Sequence, residues 1–321
     1  MFDVLELNSI HDKNLFFIKW RLTHECNLAC SYCAHKIFRL PYKKNDAEQI
    51  HLCEIAGQIS KLIDKVKQDK VKIDLVGGEV TLFELEDILR NLTTKKLFRI
   101  QITTNFMRDK DYYISLADYL KSRDIELSLT ASFHCEFTDM DKYFEKVKAI
   151  KDKCTIFCSE MVSTADSQNL VHDFEKKCKE LDIDYLIDAD TRREANVLRM
   201  NKKLYTSNRR KNKSHRYTAV LQDEKLKIYN KTYLTRNDFL LDDNIKQISR
   251  AKLFNTKGYY CSMGWNYIYI EVDKIGTKTR NNPDCTIRIP IKEFEQIKPT
   301  KCIANFCTLC GNMNISKNKT F

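Results

Sequence analysis

The chain is 321 residues long, which is enough for one large domain with an appendage or for two ordinary domains. Hydrophobic residues make up 43% of it and aromatic residues 11%, so a sizeable core is possible and global disorder is excluded. Only 7 glycines and 4 prolines are present, which excludes collagen-like and low-complexity architectures. The net charge of +11 is compatible with nucleic acid, with anionic substrates and with acidic protein partners.

No segment has the pattern of a targeting signal or a membrane anchor. Residues 1–20 carry three acidic side chains and lack the basic start and long apolar core of a signal peptide. No apolar run approaches the roughly 18 residues that a membrane helix needs. We therefore expect a cytoplasmic protein with no membrane partner, in which the thiols stay reduced. The odd number of cysteines, 13, favours metal ligands and free thiols over a disulfide framework.

Strand-like and helix-like segments alternate over the first 195 residues. Short β-prone runs predict strands at 16–22, 71–76, 98–103, 125–132, 155–162 and 183–187. Helical periodicity predicts helices at 47–66, 84–92, 112–122, 140–150 and 169–181. This alternation predicts an α/β fold with a parallel sheet and right-handed crossovers. Six units closing partway, as a partial (β/α)6 barrel, fit this length, and a doubly wound open sheet is the alternative.

The composition divides the chain into three units: a barrel at 1–195, a basic bridging segment at 196–258 and a small cysteine-rich unit at 259–321. The last unit contains a predicted strand at 265–272, which forms a hairpin with the segment around Gly276. The bridging segment begins with eight basic residues before any acidic one: Arg199, Lys202, Lys203, Arg209, Arg210, Lys211, Lys213 and Arg216. These residues form either a solvated linker or a cationic arm that holds an anionic substrate or a leader sequence.

A cysteine triplet follows the first predicted strand. Cys26, Cys30 and Cys33 stand in the segment CNLACSYC, with the spacing C-x3-C-x2-C. Three thiolates this close on one loop can bind three irons of a cubane cluster and leave the fourth iron open. The alternative is a structural zinc site, which needs four ligands and for which His24 or His35 would supply the fourth.

The triplet, with Tyr32 as the aromatic residue before its last cysteine, resembles the signature of the radical S-adenosylmethionine (radical SAM) superfamily. Three further segments carry the same resemblance: Gly77-Gly78-Glu79 after the second strand, Thr103-Thr104-Asn105 after the third, and Ser132-Phe133-His134 after the fourth. Val80 stands where the superfamily usually has a proline. The match covers residues 16 to about 190. Because the carboxyl ends of parallel strands meet at one edge, we expect these four segments to converge on one rim.

The resemblance implies a binding site for S-adenosylmethionine, whose amino and carboxylate groups chelate the open iron. The cofactor-binding residues that it implies are Tyr32, Gly77, Gly78, Glu79, Thr104, Asn105, Ser132 and His134. The two glycines would let the backbone approach the methionyl part, because they carry no Cβ. Glu79 would accept from the amino group, or it serves as a carboxylate at a helix N-terminus. Tyr32 would pack near the adenine, and His134 either contacts nucleoside or substrate or is a structural histidine.

The implied chemistry belongs mainly to the cofactors. One electron, delivered by a donor such as flavodoxin or ferredoxin, enters the [4Fe–4S] cluster and passes to the sulfonium. The carbon–sulfur bond breaks to give methionine and a 5′-deoxyadenosyl radical, which abstracts a hydrogen atom from the substrate. The protein would hold the radical carbon against one hydrogen and exclude water.

Five more cysteines crowd the C-terminal unit: Cys261, Cys285, Cys302, Cys307 and Cys310. Their pattern resembles the truncated, twitch-type relatives of the seven-cysteine SPASM extension, which implies one auxiliary [4Fe–4S] cluster on four of the five. A spare thiol near the site would be a hydrogen-atom donor of the kind an epimerase needs. The alternative is a zinc unit of four thiolates. Of the remaining cysteines, Cys135 lies at the predicted rim, and the others are predicted to be buried hydrophobes: Cys53, Cys154, Cys158 and Cys178.

The sequence says less about the substrate than about the cofactors. Candidate contacts follow the last two strands: Ser159, Glu160, Asp188, Asp190 and Arg192. Because auxiliary-cluster members of the superfamily often modify peptides, we expect a peptide or protein that is epimerised, crosslinked or oxidised. A sugar, nucleotide-sugar or other small molecule is the alternative. A more distant alternative is a zinc protein that binds nucleic acid through its positive charge.

Overall fold

The computed structural model describes residues 14–33, 46–164, 167–189, 219–222, 225–228, 231–234, 260–261, 263–279, 282–301 and 317–318. Cys261, Cys285 and Asp188 are described in their backbone alone. Several residues singled out from the sequence lie outside the described residues: His35, Asp190, Arg192, the eight basic residues at 199–216, Cys302, Cys307 and Cys310.

Six parallel strands alternate with five helices, in agreement with the predicted α/β fold. The strands are β1 (Leu15–Arg21), β2 (Lys70–Val76), β3 (Leu97–Thr104), β4 (Glu126–Phe133), β5 (Ile156–Ser163) and β6 (Asp184–Ala189). The helices are α1 (Asp46–Lys65), α2 (Leu85–Arg90), α3 (Lys110–Ser122), α4 (Met140–Ile150) and α5 (Gln168–Glu180). Short 3-10 turns at Val80–Leu82 and Lys151–Lys153 come before α2 and β5.

The six strands lie side by side in the order of the chain, β1-β2-β3-β4-β5-β6. A doubly wound sheet would reverse its strand order at a switch point, and this sheet does not. The arrangement is therefore that of a partial barrel, in which every crossover turns the same way.

Strands from the rest of the chain form two small sheets and extend the large one. The bridging segment holds an antiparallel meander of β7 (Ala219–Gln222), β8 (Lys225–Ile228) and β9 (Lys231–Leu234). The two-residue strand β10 (Tyr260–Cys261) is the middle strand of the second small sheet. Strand β11 (Tyr267–Glu271) pairs in parallel with β1. From β11 the chain continues through two antiparallel strands of the same sheet, β12 (Lys274–Thr279) and β13 (Asn282–Pro290). Two short strands follow, β14 (Thr300–Lys301) and β15 (Lys317–Asn318), and each pairs antiparallel with β10.

The large sheet thus has nine strands in the order β13-β12-β11-β1-β2-β3-β4-β5-β6. The predicted hairpin at 265–272 and Gly276 is confirmed, with Gly276 opposite Tyr269. The hairpin is not packed apart from the barrel, because β11 continues the barrel's own sheet beyond β1. The unit boundaries at residues 195 and 258 stay predictions.

Alternation along each strand gives the sheet two different faces. On β1, Phe16, Ile18 and Trp20 are fully buried in the core that the helices cover. Phe17 points the other way and packs in a small separate cluster with Met263 and Tyr267. This second face is polar along the parallel strands, with Lys19, Arg21, Lys72, Asp74, Arg99, Gln101, Ser128, Thr130 and Glu160 at alternate positions. None of the helices in the described part of the chain is both long and apolar enough to span a bilayer.

Candidate functional site

The cysteine loop follows β1 and is closed in by the ends of three neighbouring strands. Cys30 is buried, Cys26 and Cys33 are half-buried, and none of the three is bonded in a disulfide. The segments after β2, β3 and β4 each contact this loop, as the following paragraphs describe. The predicted rim therefore exists, and it is built around the triplet.

The glycine pair after β2 lies directly against the backbone of the cysteine loop. The Gly78 amide donates to the Thr23 carbonyl at 3.0 Å, and the Glu79 amide donates to the Glu25 carbonyl at 2.8 Å. A Cβ on Gly78 would stand 2.0 Å from the Glu25 oxygen, and one on Gly77 would stand 2.7 Å from the Thr23 oxygen. The missing side chains make room for residues 23–25. The expected approach of the glycine backbone to a methionyl group stays a prediction.

The Glu79 carboxylate points into the protein, with 1% of the residue exposed. One oxygen accepts from the Thr81 amide at 2.9 Å, from the Thr81 hydroxyl at 2.6 Å and from the Thr104 hydroxyl at 2.7 Å. The other oxygen accepts from the Asn105 amide at 2.5 Å. Burial raises the pKa of Glu79, and these donors lower it. The structure thus gives Glu79 the capping role that was the alternative, at the start of the Val80–Leu82 turn, and ties the second motif to the third.

Asn105 joins the third strand end to the first cysteine. Its side-chain amide donates to the Asn27 side-chain oxygen at 2.7 Å and lies 3.8 Å from the Cys26 sulfur. The Leu28 amide also donates to the Cys26 sulfur, at 3.4 Å. Hydrogen bonds of this kind orient metal-binding side chains and adjust the electronic properties of the metal.

The loop that carries Asn105 is held in place by a lysine that the sequence analysis did not single out. Phe106 adopts φ 61°, which is uncommon for a residue with a side chain. The Lys146 ammonium donates to the carbonyls of Phe106 and Arg108 at 2.8 and 2.7 Å and lies over the Phe106 ring. Burial lowers the pKa of Lys146. No local pattern in the sequence distinguishes it from the other lysines of α4.

His134 follows β4 and contacts the second cysteine. Its Nδ1 lies 3.3 Å from the Cys30 sulfur and 2.6 Å from the Tyr32 hydroxyl. The two rings are nearly parallel, 6° apart, with centroids separated by 6.0 Å. Burial lowers the pKa of His134 to about 4 and, together with the nearby Cys26, raises the pKa of Cys30 to about 11. Contact of either ring with adenine or substrate stays a prediction.

A carboxylate missed in the sequence analysis clamps the middle of the cysteine loop. Glu136 accepts from the Ser31 amide at 2.8 Å and from the Ser31 hydroxyl. Ser31 lies between the second and third cysteines, so this contact ties the loop to the segment after β4. Its only signal in the sequence is its position two residues after His134.

A second missed carboxylate reaches the loop from the C-terminal hairpin. Glu271, at the end of β11, lies 3.1 Å from Nε2 of His24 and 3.3 Å from the Arg21 guanidinium, and it also pairs with Arg288 of β13. The indole N–H of Trp20 donates to the Val272 carbonyl at 3.1 Å. The hairpin therefore braces the start of the cysteine loop.

Two predicted substrate contacts lie within β5 and not after it. Ser159 is fully buried on the helix side, where it receives a hydrogen bond from the Tyr143 hydroxyl at 3.0 Å, so its predicted place on the rim is wrong. Glu160 lies on the polar face in register with Ser132, and both are half-buried. The remaining predictions of substrate contact fall on residues whose side chains the structure does not describe.

The prediction of four buried cysteines outside the two cysteine clusters is confirmed for two of them and wrong for the other two. Cys158 and Cys178 are buried, whereas Cys53 and Cys154 are half-buried and pack against the edge of the core. Burial raises the pKa of Cys154 to about 12, so it remains a protonated thiol. Cys135 is half-buried beside His134.

The donor set of the loop fits an iron–sulfur cluster. Three cysteines outside any disulfide stand on one short segment, and N–H donors point at the sulfur of Cys26. Among the residues that the structure describes, no three cysteine, histidine or acidic side chains converge closely enough to hold a single metal ion. Thiolates that bind separate irons of one cluster need not converge in that way.

Comparison with models of protein families found no match, and neither did comparison with curated protein sequences. Several solved structures are similar to this chain. Streptococcus suis SuiB bound to S-adenosylmethionine is 14% identical, with a TM-score of 0.46, over 88% of this chain and 62% of that one. Another SuiB structure is 13% identical, with a TM-score of 0.45, over 81% and 59% of the two chains. The Escherichia coli coproporphyrinogen III oxidase HemN, a radical SAM enzyme, is 12% identical, with a TM-score of 0.41, over 83% and 67%. This chain thus spans about three fifths of the length of SuiB.

Proposed function

We propose that this protein is a radical SAM enzyme. One observation carries the proposal: three consecutive strand ends meet the loop of Cys26, Cys30 and Cys33, through Gly78, Asn105 and His134. A structural zinc loop would need a fourth ligand, but it would not need these polar segments after β2, β3 and β4. The arrangement is the convergence on one rim that is expected for these four segments.

In this proposal the three cysteines hold a [4Fe–4S] cluster, and S-adenosylmethionine binds beside it at the rim. When bound, the cluster would supply the electron for reductive cleavage of S-adenosylmethionine, and the resulting radical chemistry would remove a hydrogen atom from the substrate. The donor of that electron is a flavodoxin or a ferredoxin.

The residues of the chain itself fix the geometry of the loop. The glycine pair lets β2 pass close beneath residues 23–25. The Glu79 carboxylate fixes Asn105, whose amide then reaches Cys26. We expect a polar ligand to meet Ser132 and Glu160, which are half-buried and side by side on the polar face of β4 and β5.

We further propose that four of the five C-terminal cysteines bind an auxiliary [4Fe–4S] cluster. The support is the spacing Cys302-x4-Cys307-x2-Cys310 and the hairpin that carries β11 to the edge of the barrel.

The substrate that we propose is a peptide or a protein, epimerised, crosslinked or oxidised at an unactivated carbon. The support is the resemblance of the C-terminal cysteines to auxiliary-cluster enzymes, together with the eight basic residues at 199–216, which suit an acidic leader peptide. A nucleotide-sugar would meet the same positive charge through its phosphates, so the experiment must separate the two.

The decisive experiment counts iron after anaerobic reconstitution. We expect about eight irons per chain in the wild type, and about four both in the variant with Cys26, Cys30 and Cys33 changed to Ala and in the variant with Cys302, Cys307 and Cys310 changed to Ala. Cys53→Ala is the matched control, because this half-buried cysteine lies in α1. Stoichiometric zinc in a colourless protein would overturn the proposal.

A second readout tests the activity directly. With dithionite and S-adenosylmethionine, the wild type should release 5′-deoxyadenosine, and the variant lacking the triplet should not. An acidic peptide or a nucleotide-sugar that accelerates this release identifies the substrate class. Iron at the triplet without any 5′-deoxyadenosine would contradict the proposed enzyme.

A further inference from the structure

Cys30 is enclosed by two other polar side chains. The Tyr32 hydroxyl and His134 Nδ1 are 2.6 Å apart, and the Cys30 sulfur lies 3.3 Å from the same nitrogen. Tyr32 also hydrogen-bonds Cys30 directly. Cys30 is 5% exposed and Tyr32 9%, so little water competes for these contacts. The three groups therefore form a closed triangle of hydrogen-bonding partners.

The chemistry of the three groups assigns the protons once the sulfur is a metal-bound thiolate. A thiolate only accepts hydrogen bonds, whereas a tyrosine hydroxyl both donates and accepts. If Nδ1 of His134 were unprotonated, its lone pair would face the thiolate, and two hydrogen-bond acceptors in contact repel each other. The consistent arrangement has the Nδ1–H of His134 donating to the Tyr32 oxygen and the Tyr32 O–H donating to the Cys30 sulfur.

A donor aimed at a ligand sulfur stabilises the reduced, more negative state of a cluster, and its strength is felt most where water is excluded. We infer that the Tyr32 hydroxyl, oriented by His134, sets the reduction potential of the cluster held by Cys30. This inference rests on the proposed function. Tyr32 is then more than the aromatic neighbour of the last cysteine, since its hydroxyl acts on the cluster, and His134 positions Tyr32 and also faces the Cys30 sulfur at 3.3 Å.

The test compares midpoint potentials of reconstituted wild type, Tyr32→Phe, His134→Leu and the double variant, measured by electron paramagnetic resonance during a redox titration. A midpoint potential does not depend on the fraction of chains that carry a cluster, so a variant with low iron content still gives an answer. Tyr119→Phe is the matched control, because its hydroxyl accepts from Arg123 on the far surface of α3.

We expect Tyr32→Phe to lower the ratio of reduced to oxidised cluster at a fixed potential about tenfold, which corresponds to about 59 mV for one electron. We expect His134→Leu to shift it in the same direction, and to have a smaller effect in the Tyr32→Phe background, where only the contact of His134 with the sulfur is left to lose. An unchanged potential in Tyr32→Phe overturns the inference and leaves the proposed function standing. Equal effects of His134→Leu in both backgrounds overturn the relay through Tyr32. A wild type without iron at the triplet overturns the proposed function, and this inference with it.

Discussion

The carboxylate of Glu271 lies 3.1 Å from Nε2 of His24, so the C-terminal hairpin touches the chain two residues before the first cysteine. The same carboxylate pairs with Arg21 of β1 and Arg288 of β13. One side chain thus joins the C-terminal hairpin to β1 and the cysteine loop, some 250 residues earlier in the chain. Strands β1 and β11 are also joined by parallel pairing.

Replacing Glu271 should therefore loosen the hairpin from the barrel. We expect Glu271→Ala to reduce the free energy of unfolding by about 1–2 kcal/mol, because Arg21 loses its partner in a partly covered position. Asp273→Ala is the control, since this carboxylate is exposed in the adjacent turn. Urea unfolding of the two variants measures the difference, and equal stability would show that the ion pairs contribute nothing.

Gly78 packs against backbone whereas Gly57 does not, so the two should respond in opposite ways to substitution by alanine. Gly78→Ala would place a methyl group 2.0 Å from the Glu25 carbonyl oxygen, which is backbone and has no rotamer to adopt. We expect it to destabilise the protein by at least about 1–3 kcal/mol and to lower the iron bound at the triplet.

Gly57→Ala is the matched control, because no atom lies within 4 Å of its added Cβ and the residue is inside α1. It should stabilise the protein by about 0.5–1 kcal/mol, since alanine is the better helix former. Thermal unfolding and iron analysis of both variants test the contrast. A Gly78→Ala protein with full iron and unchanged stability would contradict the packing.

Glu79 allows a test of the buried hydrogen bonds that join the Gly77-Gly78-Glu79 motif to the Thr103-Thr104-Asn105 motif. Each carboxylate oxygen accepts from a backbone N–H, one from Thr81 and one from Asn105. In Glu79→Gln, either orientation of the amide sets its NH2 group against one of these N–H donors. We expect a loss of about 1–3 kcal/mol from this unsatisfied donor, measured by urea unfolding.

The control for Glu79 is Glu86→Gln, which alters only a surface pair with Arg90 one turn along α2. Its effect should stay within about 0.5 kcal/mol. If Glu79→Gln were as mild as Glu86→Gln, the carboxylate would not be holding Asn105 in place.

Glu136 should affect the cluster loop without affecting the stability of the fold. It is exposed, so Glu136→Ala should cost less than about 1 kcal/mol in unfolding free energy. It nevertheless holds Ser31 between two cysteines, so iron should leave the triplet several-fold faster in the presence of a chelator. Glu145→Ala, exposed on α4, is the control. Identical rates of iron loss in the two variants would refute the clamp.

The local elements could be predicted from the sequence because their signals are local. Alternation on β1 and helical periodicity on α1 each reside in a single window, and the structure places both elements within a few residues of their predicted bounds. Short crossovers that all have the same handedness also produce a sheet whose strands lie in the order of the chain. The convergence of the motif segments on one rim was therefore predictable from topology.

The contacts that shape the site could not be predicted from the sequence, because they join distant residues without a local pattern. Nothing in the neighbourhood of Glu271 indicates that Arg21 is its partner, 250 residues away. Lys146 differs from Lys142 only in what lies opposite it in space. The packing of Gly78 against Glu25 was equally hidden, since the sequence shows that room is needed there but not which neighbour takes it.

The parallel pairing of β1 with β11 bears on the order in which the chain can acquire its structure. During synthesis, β2 can cover one edge of β1 early, whereas the other edge waits until residue 267 has left the ribosome. Such long-range pairing raises the contact order, which slows folding, and it leaves an open edge available to other chains in the interval. Truncation before β11 should therefore yield a protein that aggregates through β1, even though the whole predicted barrel segment is present.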